Sequence, residues 1–243
     1  MSKLYIFGDS FANTVFFDID WAWYAIVSEK LNYELKNYAH GGSSLEYTFF
    51  KFEEHRQIIN NNDIVIICLT SLARTYFFPG IPNLVRPDSI KFTDPNNLLG
   101  ISEMELLALK YYFTCFEEIH NKKMFFHLHN FLHSVDELSS KLKNKILVLD
   151  ACTGVIIDRN RYKNLEIPNL SLNDVSNAEA HSVKILKRIH NKGDPRINHL
   201  SKINHLVLAN KIINFYSNNE SIDLSTDFAK DLFDKRDDNI FFN

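Results

Sequence analysis

Three short stretches of this sequence contain residue types that could carry out acyl-transfer chemistry. In the first, Gly8, Asp9 and Ser10 follow a short apolar segment. A serine at a turn between a strand and a helix can act as a nucleophile if a base removes its proton and backbone N–H groups receive the oxyanion. The alternative is an ordinary turn in which Ser10 or Asp9 caps a helix, because motifs of three residues often match by accident.

The second stretch, residues 37–44, contains the adjacent glycines Gly41 and Gly42. The chain has only seven glycines, so this pair indicates a role for the backbone. Glycines at the end of a strand allow main-chain N–H groups to approach a ligand closely. The alternative is a loop that requires a positive φ.

The third stretch is Asn198 to Ser201, in which His199 stands at the predicted start of the last helix. A histidine is the usual base for a serine, and it needs an acceptor that orients its other ring nitrogen. Asp194 is the nearest acidic residue. These residues predict a catalytic set of Ser10, His199 and Asp194. The alternative is that His199 is a surface or cap residue, which is the commoner role of a single histidine at a helix start.

Together these stretches resemble the SGNH/GDSL hydrolase family, in particular its bacterial and phage members, over residues 3–75 and 190–215. The resemblance implies that Ser10 is the nucleophile, that His199 is the base and that the Gly42 N–H is an oxyanion donor. It also implies an ester hydrolase that needs no metal or other cofactor. The expected substrate is an O-acyl ester, with an acetylated carbohydrate preferred among the family's substrates.

The sequence departs from the family's pattern in two places. Asp194 lies five residues before His199 instead of three, and the asparagine expected after the third strand is missing. Ser71 or Arg74 could replace that asparagine, since both can donate to a developing negative charge, although Arg74 could equally be a solvated surface residue. Losing one oxyanion donor typically costs about a hundred- to a thousandfold in rate. The alternative function is therefore a weak or inactive binding module on the same fold, which recognises a glycan or a protein partner.

The elements that must position these residues are predicted from apolar runs and helical spacing. Strands are predicted at residues 3–7, 33–39, 64–69, 124–128 and 145–149. Strands that alternate with helices predict βαβ units. We therefore expect a three-layer α/β/α sandwich, flavodoxin-like in general form, with a mainly parallel sheet of about five strands. Ligands bind at the carboxyl ends of the strands in such sheets, where the three stretches would meet.

Helices are predicted at residues 20–31, 44–59, 102–120, 178–190 and from about 199 onward. The last of these would place one apolar stripe on the core, formed by Leu200, Ile203, Leu206, Val207, Asn210 and Ile213. We predict one domain over residues 1–217. Residues 218–243 would form a tail with a short amphipathic helix, which could dock on the body or join copies of the chain into an oligomer.

Two further segments are expected to shape a substrate pocket, namely residues 78–100 and 151–168.

His127, His129 and His133 surround the predicted strand at 124–128, and a His-x-His pair on a strand suits zinc. No carboxylate or cysteine stands at an obvious spacing for a third ligand, so we predict that the chain binds no metal.

The composition excludes several classes of protein. The net charge is -3, whereas nucleic-acid-binding domains are usually basic. No apolar run approaches the roughly 18 residues of a membrane helix, and no secretory signal is evident. The three cysteines form no CxxC pair, which argues against a disulfide framework. We therefore expect a cytoplasmic protein, with association with a virion as the alternative, and no nucleic-acid or membrane partner.

Overall fold

The computed structural model describes residues 1–13, 19–72, 74, 76–78, 81–84, 103–175 and 199–229. Its centre is a sheet of five parallel strands in the order β2-β1-β3-β6-β7. These strands are β1 (Lys3–Phe7), β2 (Glu34–Asn37), β3 (Ile64–Leu69), β6 (Ile146–Asp150) and β7 (Leu165–Glu166). A separate antiparallel hairpin pairs β4 (Tyr76–Phe78) with β5 (Ile81–Leu84).

The central strands are apolar on both faces, because helices cover the sheet on both sides. All six residues of β3 are buried. Side chains alternate between the faces of a strand, so the strands contribute to two hydrophobic clusters. One cluster holds Ile66 and Cys68, and the other holds Val65 and Ile67. The predicted three-layer sandwich with a parallel sheet of five strands is confirmed.

The helices divide between the two layers. α1 (Trp23–Leu31) and α5 (Lys202–Asn218) pack on one face of the sheet. α2 (Leu45–His55) and α3 (Glu103–Ser139) pack on the other face. The short α4 (Leu172–Val175) belongs to the layer of α1. Three 3-10 turns complete the described elements, at Ile19–Trp21, Arg56–Ile58 and Arg159–Arg161.

The predicted strand at residues 124–128 is wrong, because this segment lies inside α3. That helix runs to Ser139, well past the predicted end at residue 120, with a non-helical kink at Phe116. The fifth strand of the sheet is instead β7, which has only two residues. The predicted helix at residues 178–190 lies outside the described residues.

The predicted apolar stripe of the last helix is wrong in part. Leu200 is buried, and Val207 and Ile213 pack against the core as expected. Ile203 and Leu206 are exposed, with relative accessibilities of 54% and 49%. The face of α5 that packs on the core carries Asn204, His205, Leu208, Ala209, Ile212 and Phe215. The two polar residues are buried because they have partners there. The Asn204 amide donates to the Val175 carbonyl, and the His205 Nδ1 accepts from the Trp23 N–H.

The chain after α5 returns to the core. Ile222, Leu224 and Phe228 are buried in the same cluster as α1 and α5. The Asn204 side chain also pairs with the backbone of Ala229. Residues 230–243 lie outside the described residues, so the division into a domain and a tail at residue 217 stays a prediction. Among the described helices, none is both long and apolar enough to reach across a bilayer.

Candidate active site

Ser10 and His199 meet at the carboxyl edge of the sheet, although 189 positions separate them in the chain. Ser10 lies in the turn that follows β1, and His199 lies just before Ser201, whose side chain caps α5 by accepting from the Asn204 N–H. The His199 Nε2 is 2.8 Å from the Ser10 Oγ. With the ring proton on Nδ1, Nε2 accepts a hydrogen bond from the serine hydroxyl, which is the arrangement that a general base requires.

The His199 ring rests on an aromatic neighbour. The Phe11 ring stacks on it, with centroids 4.5 Å apart and planes 13° from parallel. The carbonyl of Phe11 accepts a hydrogen bond of 2.9 Å from the Trp23 indole N–H. Because Phe11 and Trp23 are both buried, the side chain that orients the imidazole is itself held in place.

Gly8 allows the turn before Ser10 to pass directly over β3. Its φ is +148°, and a Cβ at this position would lie 2.7 Å from both the Cβ and the carbonyl oxygen of Cys68. Real Cβ atoms do not make contacts this short with a backbone. A glycine is therefore required here, both for the dihedral angle and for the approach to β3.

We expect Gly8→Ala to lower the free energy of unfolding by about 3 kcal/mol, from backbone strain and overpacking together. Gly154→Ala is the matched control. Gly154 also has a positive φ of +74°, but nothing lies within 4 Å of its ideal Cβ, so strain alone should cost about 1 kcal/mol. Urea unfolding of both variants measures the difference. Equal losses for the two variants would contradict the close approach of Gly8 to Cys68.

The turn after β2 is tied to the turn that carries Ser10. The Gly8 carbonyl accepts from the His40 N–H and from the Ser43 hydroxyl, each at 3.0 Å. Between them, Gly42 has a φ of +78°. Within the described part of the chain, the Gly42 N–H donates no hydrogen bond.

Arg74 is buried, which excludes the interpretation of this residue as a solvated surface side chain. Its Nη1 donates to the Asp9 Oδ2 at 2.9 Å, to the Thr70 Oγ1 at 2.7 Å and to the Ser43 carbonyl at 3.3 Å. The Thr70 hydroxyl donates to the same oxygen of Asp9 at 2.9 Å. Asp9 has no exposed surface, so Arg74 balances a fully buried carboxylate.

Ser71 lies after β3, beside Cys152 from the end of β6. Burial and the nearby charge of Asp9 raise the pKa of the Cys152 thiol to about 11, against the opposing effects of Arg74 and of the Ser71 backbone.

We expect Cys152 to react slowly with iodoacetamide, since only the thiolate attacks. With a pKa of about 11, its thiolate fraction at pH 8 is roughly a hundredfold below that of an ordinary thiol. The rate should rise about tenfold for each pH unit until the pH approaches the pKa. Exposed Cys115 provides the internal comparison in a mass-spectrometric time course. Equal labelling of the two residues at pH 8 would contradict the assigned surroundings of Cys152.

A cavity of about 350 Å³ opens beside this part of the site, at the carboxyl ends of β6 and β7. It is lined by residues of 150–159 and 167–174, which include Asp150, Cys152, Asn169 and Asp174. Burial raises the pKa of the Asp150 carboxyl, while hydrogen bonds from Thr153 oppose that shift. The volume falls within the range of small-molecule pockets. The cavity includes part of the segment 151–168 that the sequence analysis expects to shape a pocket.

The predicted acid and part of the predicted pocket loop cannot be placed. Asp194 lies outside the described residues, and so do residues 79–80 and 85–100 of the loop at 78–100. The role of Asp194 stays a prediction, as do the roles of Ser71 and Arg74 as oxyanion donors.

The three histidines near residue 130 lie on helix α3 and not at the end of a strand. His129 and His133 both contact Tyr162, which hydrogen-bonds to the His129 Nδ1. Burial lowers the pKa of His129, and the neighbouring Arg161 and His133 lower it further. Within the described ranges, no group of three histidine, cysteine or acidic side chains is placed to hold a metal ion.

The partners of Asp9 were not predicted from the sequence. Only its role as a helix cap was considered, whereas its carboxylate accepts from Thr70, from Arg74 and from the Phe11 N–H. A signal was available in the sequence, because Asp9 follows the first strand, and Thr70 and Arg74 follow the wholly apolar third strand. Such polar residues at neighbouring strand ends are expected to meet.

The chain has a structural likeness to a known protein. No family model matches the chain, and no curated protein matches it. Among solved structures, it is similar to a crystal structure of a member of the lipolytic protein G-D-S-L family from Veillonella parvula DSM 2008. The likeness covers 90% of this chain and 100% of that chain, with 10% identity and a TM-score of 0.40. The function proposed below rests on the geometry of Ser10 and His199.

Proposed function

We propose that this protein is a serine esterase that hydrolyses an O-acyl ester. The observation that carries the proposal is the hydrogen-bond distance of 2.8 Å between the Ser10 Oγ and the His199 Nε2. A nucleophile and a base within such reach at the carboxyl edge of a parallel sheet satisfy the first geometric requirement of acyl transfer.

In the proposed reaction, His199 takes the hydroxyl proton as the Ser10 Oγ attacks the acyl carbon. The carbonyl π electrons move to the oxygen, and the N–H groups of Ser10 and Gly42 receive this oxyanion. The intermediate collapses as His199 gives the proton to the leaving alcohol, which breaks the ester bond. Water, activated by the same imidazole, then attacks the acyl-enzyme and releases the carboxylic acid and the Ser10 hydroxyl.

An acetylated carbohydrate is the substrate that we propose to test first. The neighbouring cavity offers the carboxylates of Asp150 and Asp174 and the amide of Asn169, beside apolar Pro168 and Leu170. A sugar has hydroxyl groups for the polar side chains and C–H faces for the apolar ones. The deciding experiment is acetate release from p-nitrophenyl acetate and from acetylated monosaccharides, each with the Ser10→Ala variant as the reference.

The second candidate is a binding module that holds a glycan or a protein partner without turning it over. The surroundings of the third strand end favour it. The Arg74 Nη1 is occupied by three acceptors within the protein, so it is not available to an oxyanion. Sugar binding that persists in the absence of any Ser10-dependent turnover would decide for this candidate.

A further inference from the structure

We propose that Arg74 is a positioning residue of this site, a role that rests on the proposed function of Ser10. Its Nη1 has acceptors on three separate segments at the carboxyl edge of the sheet. These are Asp9 in the turn after β1, Ser43 after β2 and Thr70 after β3. One guanidinium nitrogen therefore connects the nucleophile turn, the turn that carries the proposed oxyanion donor, and the end of the central strand.

The connection reaches Ser10 through the Asp9 carboxylate. The Asp9 Oδ2 accepts from Arg74, and its Oδ1 accepts a hydrogen bond of 3.0 Å from the Phe11 N–H. The carboxylate thus bridges the backbone on both sides of Ser10. Because the Phe11 ring also stacks on His199, a shift of Asp9 would move the nucleophile and the ring that orients its base together.

The same guanidinium reaches the turn that carries Gly42. Arg74 donates to the Ser43 carbonyl, and the Ser43 hydroxyl donates to the Gly8 carbonyl. The Gly42 N–H stands one residue before Ser43. Arg74 therefore helps to fix the distance between the serine hydroxyl and the proposed oxyanion donor. The distance and orientation of the reacting groups govern the rate of acyl transfer.

Burial makes this arrangement depend on both charges. Asp9 is fully buried, and the Arg74 side chain is only 9% exposed. Removal of either partner leaves an uncompensated charge away from water. A lysine side chain is one bond shorter than an arginine side chain, so its ammonium nitrogen cannot occupy the position of the Arg74 Nη1.

The test is a double-mutant cycle on the rate of p-nitrophenyl acetate hydrolysis. We expect Arg74→Met to lower kcat by about 100-fold, the cost of a misplacement of about 1 Å, with KM little changed. Asp9→Asn should lower kcat similarly. The double variant should be no slower than the slower single variant, because both changes disable one unit. Losses that multiply would show that Arg74 and Asp9 act independently, and would overturn the positioning role.

Arg56→Met is the matched control. Arg56 also forms an ion pair, with Glu53 at 2.8 Å, and it also donates to a third side chain, the Ser134 hydroxyl. Its partners lie on α2 and α3, not on the turns that follow β1 and β2. We expect it to leave kcat close to that of the unsubstituted protein, and an equal loss of kcat in Arg56→Met would overturn the specific role of Arg74.

The NMR signals of the His199 ring give a readout that needs no turnover. We expect Arg74→Met to shift the His199 signals, because the stacked Phe11 ring moves. If Arg74→Met does not fold, Arg74→Lys takes its place, and we expect the same shift. Unshifted His199 signals together with full turnover would overturn the positioning role, even where Ser10→Ala abolishes hydrolysis. Hydrolysis that survives Ser10→Ala would instead overturn the proposed function, while shifted His199 signals would still support the role of Arg74.

Discussion

Replacing Ser10 with alanine is expected to lower the hydrolysis of p-nitrophenyl acetate by about 10⁴-fold or more, to a residual level set by substrate binding and oxyanion donors. The reason is that Ser10→Ala removes the hydroxyl that attacks the acyl carbon in the proposed reaction. Since Ser10 is almost fully buried and lies in a turn held by Asp9, the backbone should keep its position in the variant. Initial rates at saturating ester measure the loss.

Ser140→Ala is the control for that experiment. Ser140 is exposed at the end of α3, where its hydroxyl donates to the Glu137 carbonyl. Its removal should leave the rate unchanged and the midpoint of thermal unfolding nearly so. Turnover that persists in Ser10→Ala at the level of Ser140→Ala would mean that hydrolysis occurs elsewhere, and the esterase proposal would fail.

Replacing His199 with alanine is expected to lower the same rate by about 10³- to 10⁴-fold. Without the imidazole, the Ser10 hydroxyl keeps its proton at neutral pH and the leaving alcohol receives none. The space that the ring occupied lies next to Phe11, so added imidazole can enter it. We expect millimolar imidazole to restore part of the rate in His199→Ala and to have no such effect in Ser10→Ala.

His133→Ala controls for the loss of a histidine as such. His133 is exposed on α3 and contacts the Tyr162 ring. This variant should hydrolyse the ester as fast as the unsubstituted protein. If His133→Ala and His199→Ala lost activity equally, the imidazole of His199 would have no specific part in the reaction.

The central strands of the fold could be predicted from the sequence because their residues carry the signal themselves. The run from Ile64 to Leu69 is apolar without interruption, as a strand between two helical layers must be. The two residues of β7 carry no such pattern, and pairing with β6 defines them as a strand. A strand that short depends on its neighbour and cannot be read from composition.

The strand predicted at residues 124–128 is wrong because five residues are too few to distinguish a strand from part of a helix. Five apolar or aromatic-rich residues read alone as a strand. Over a wider span, the buried residues recur at Met124, Leu128, Phe131, Leu132 and Val135. That spacing places them on one face of a helix. The same residues therefore predict α3 when the pattern is followed over more than three helical turns.

The inner face of α5 could not be predicted because polar residues occupy it. Asn204 and His205 are buried only because Val175, Ala229 and Trp23 supply partners from distant parts of the chain. The predicted stripe therefore included Ile203 and Leu206, which lie on the exposed face of the helix. Tertiary hydrogen bonds decided the orientation of this helix, and no local pattern reports them.

The residues of the site also fall into some that the sequence indicates and some that it does not. Ser10, His199 and Gly42 stand out because a nucleophile, a base and paired glycines occupy the ends of predicted elements. Asp9 and Arg74 both follow predicted strands, so the sequence places them at the same edge of the sheet, but their separation of 65 positions does not pair them with each other. Their proximity follows from the parallel pairing of β1 with β3, which only the assembled sheet shows.

Labelling with a fluorophosphonate tests the pairing of Ser10 with His199 most directly, because this reagent reacts only with an activated serine. Intact-mass and peptide mass spectrometry would report both the extent and the position of the adduct. We predict one adduct per chain, located on Ser10, formed rapidly in the unsubstituted protein and nearly absent in His199→Ala. An adduct at another residue, or labelling of Ser10 at an unchanged rate without His199, would contradict the account.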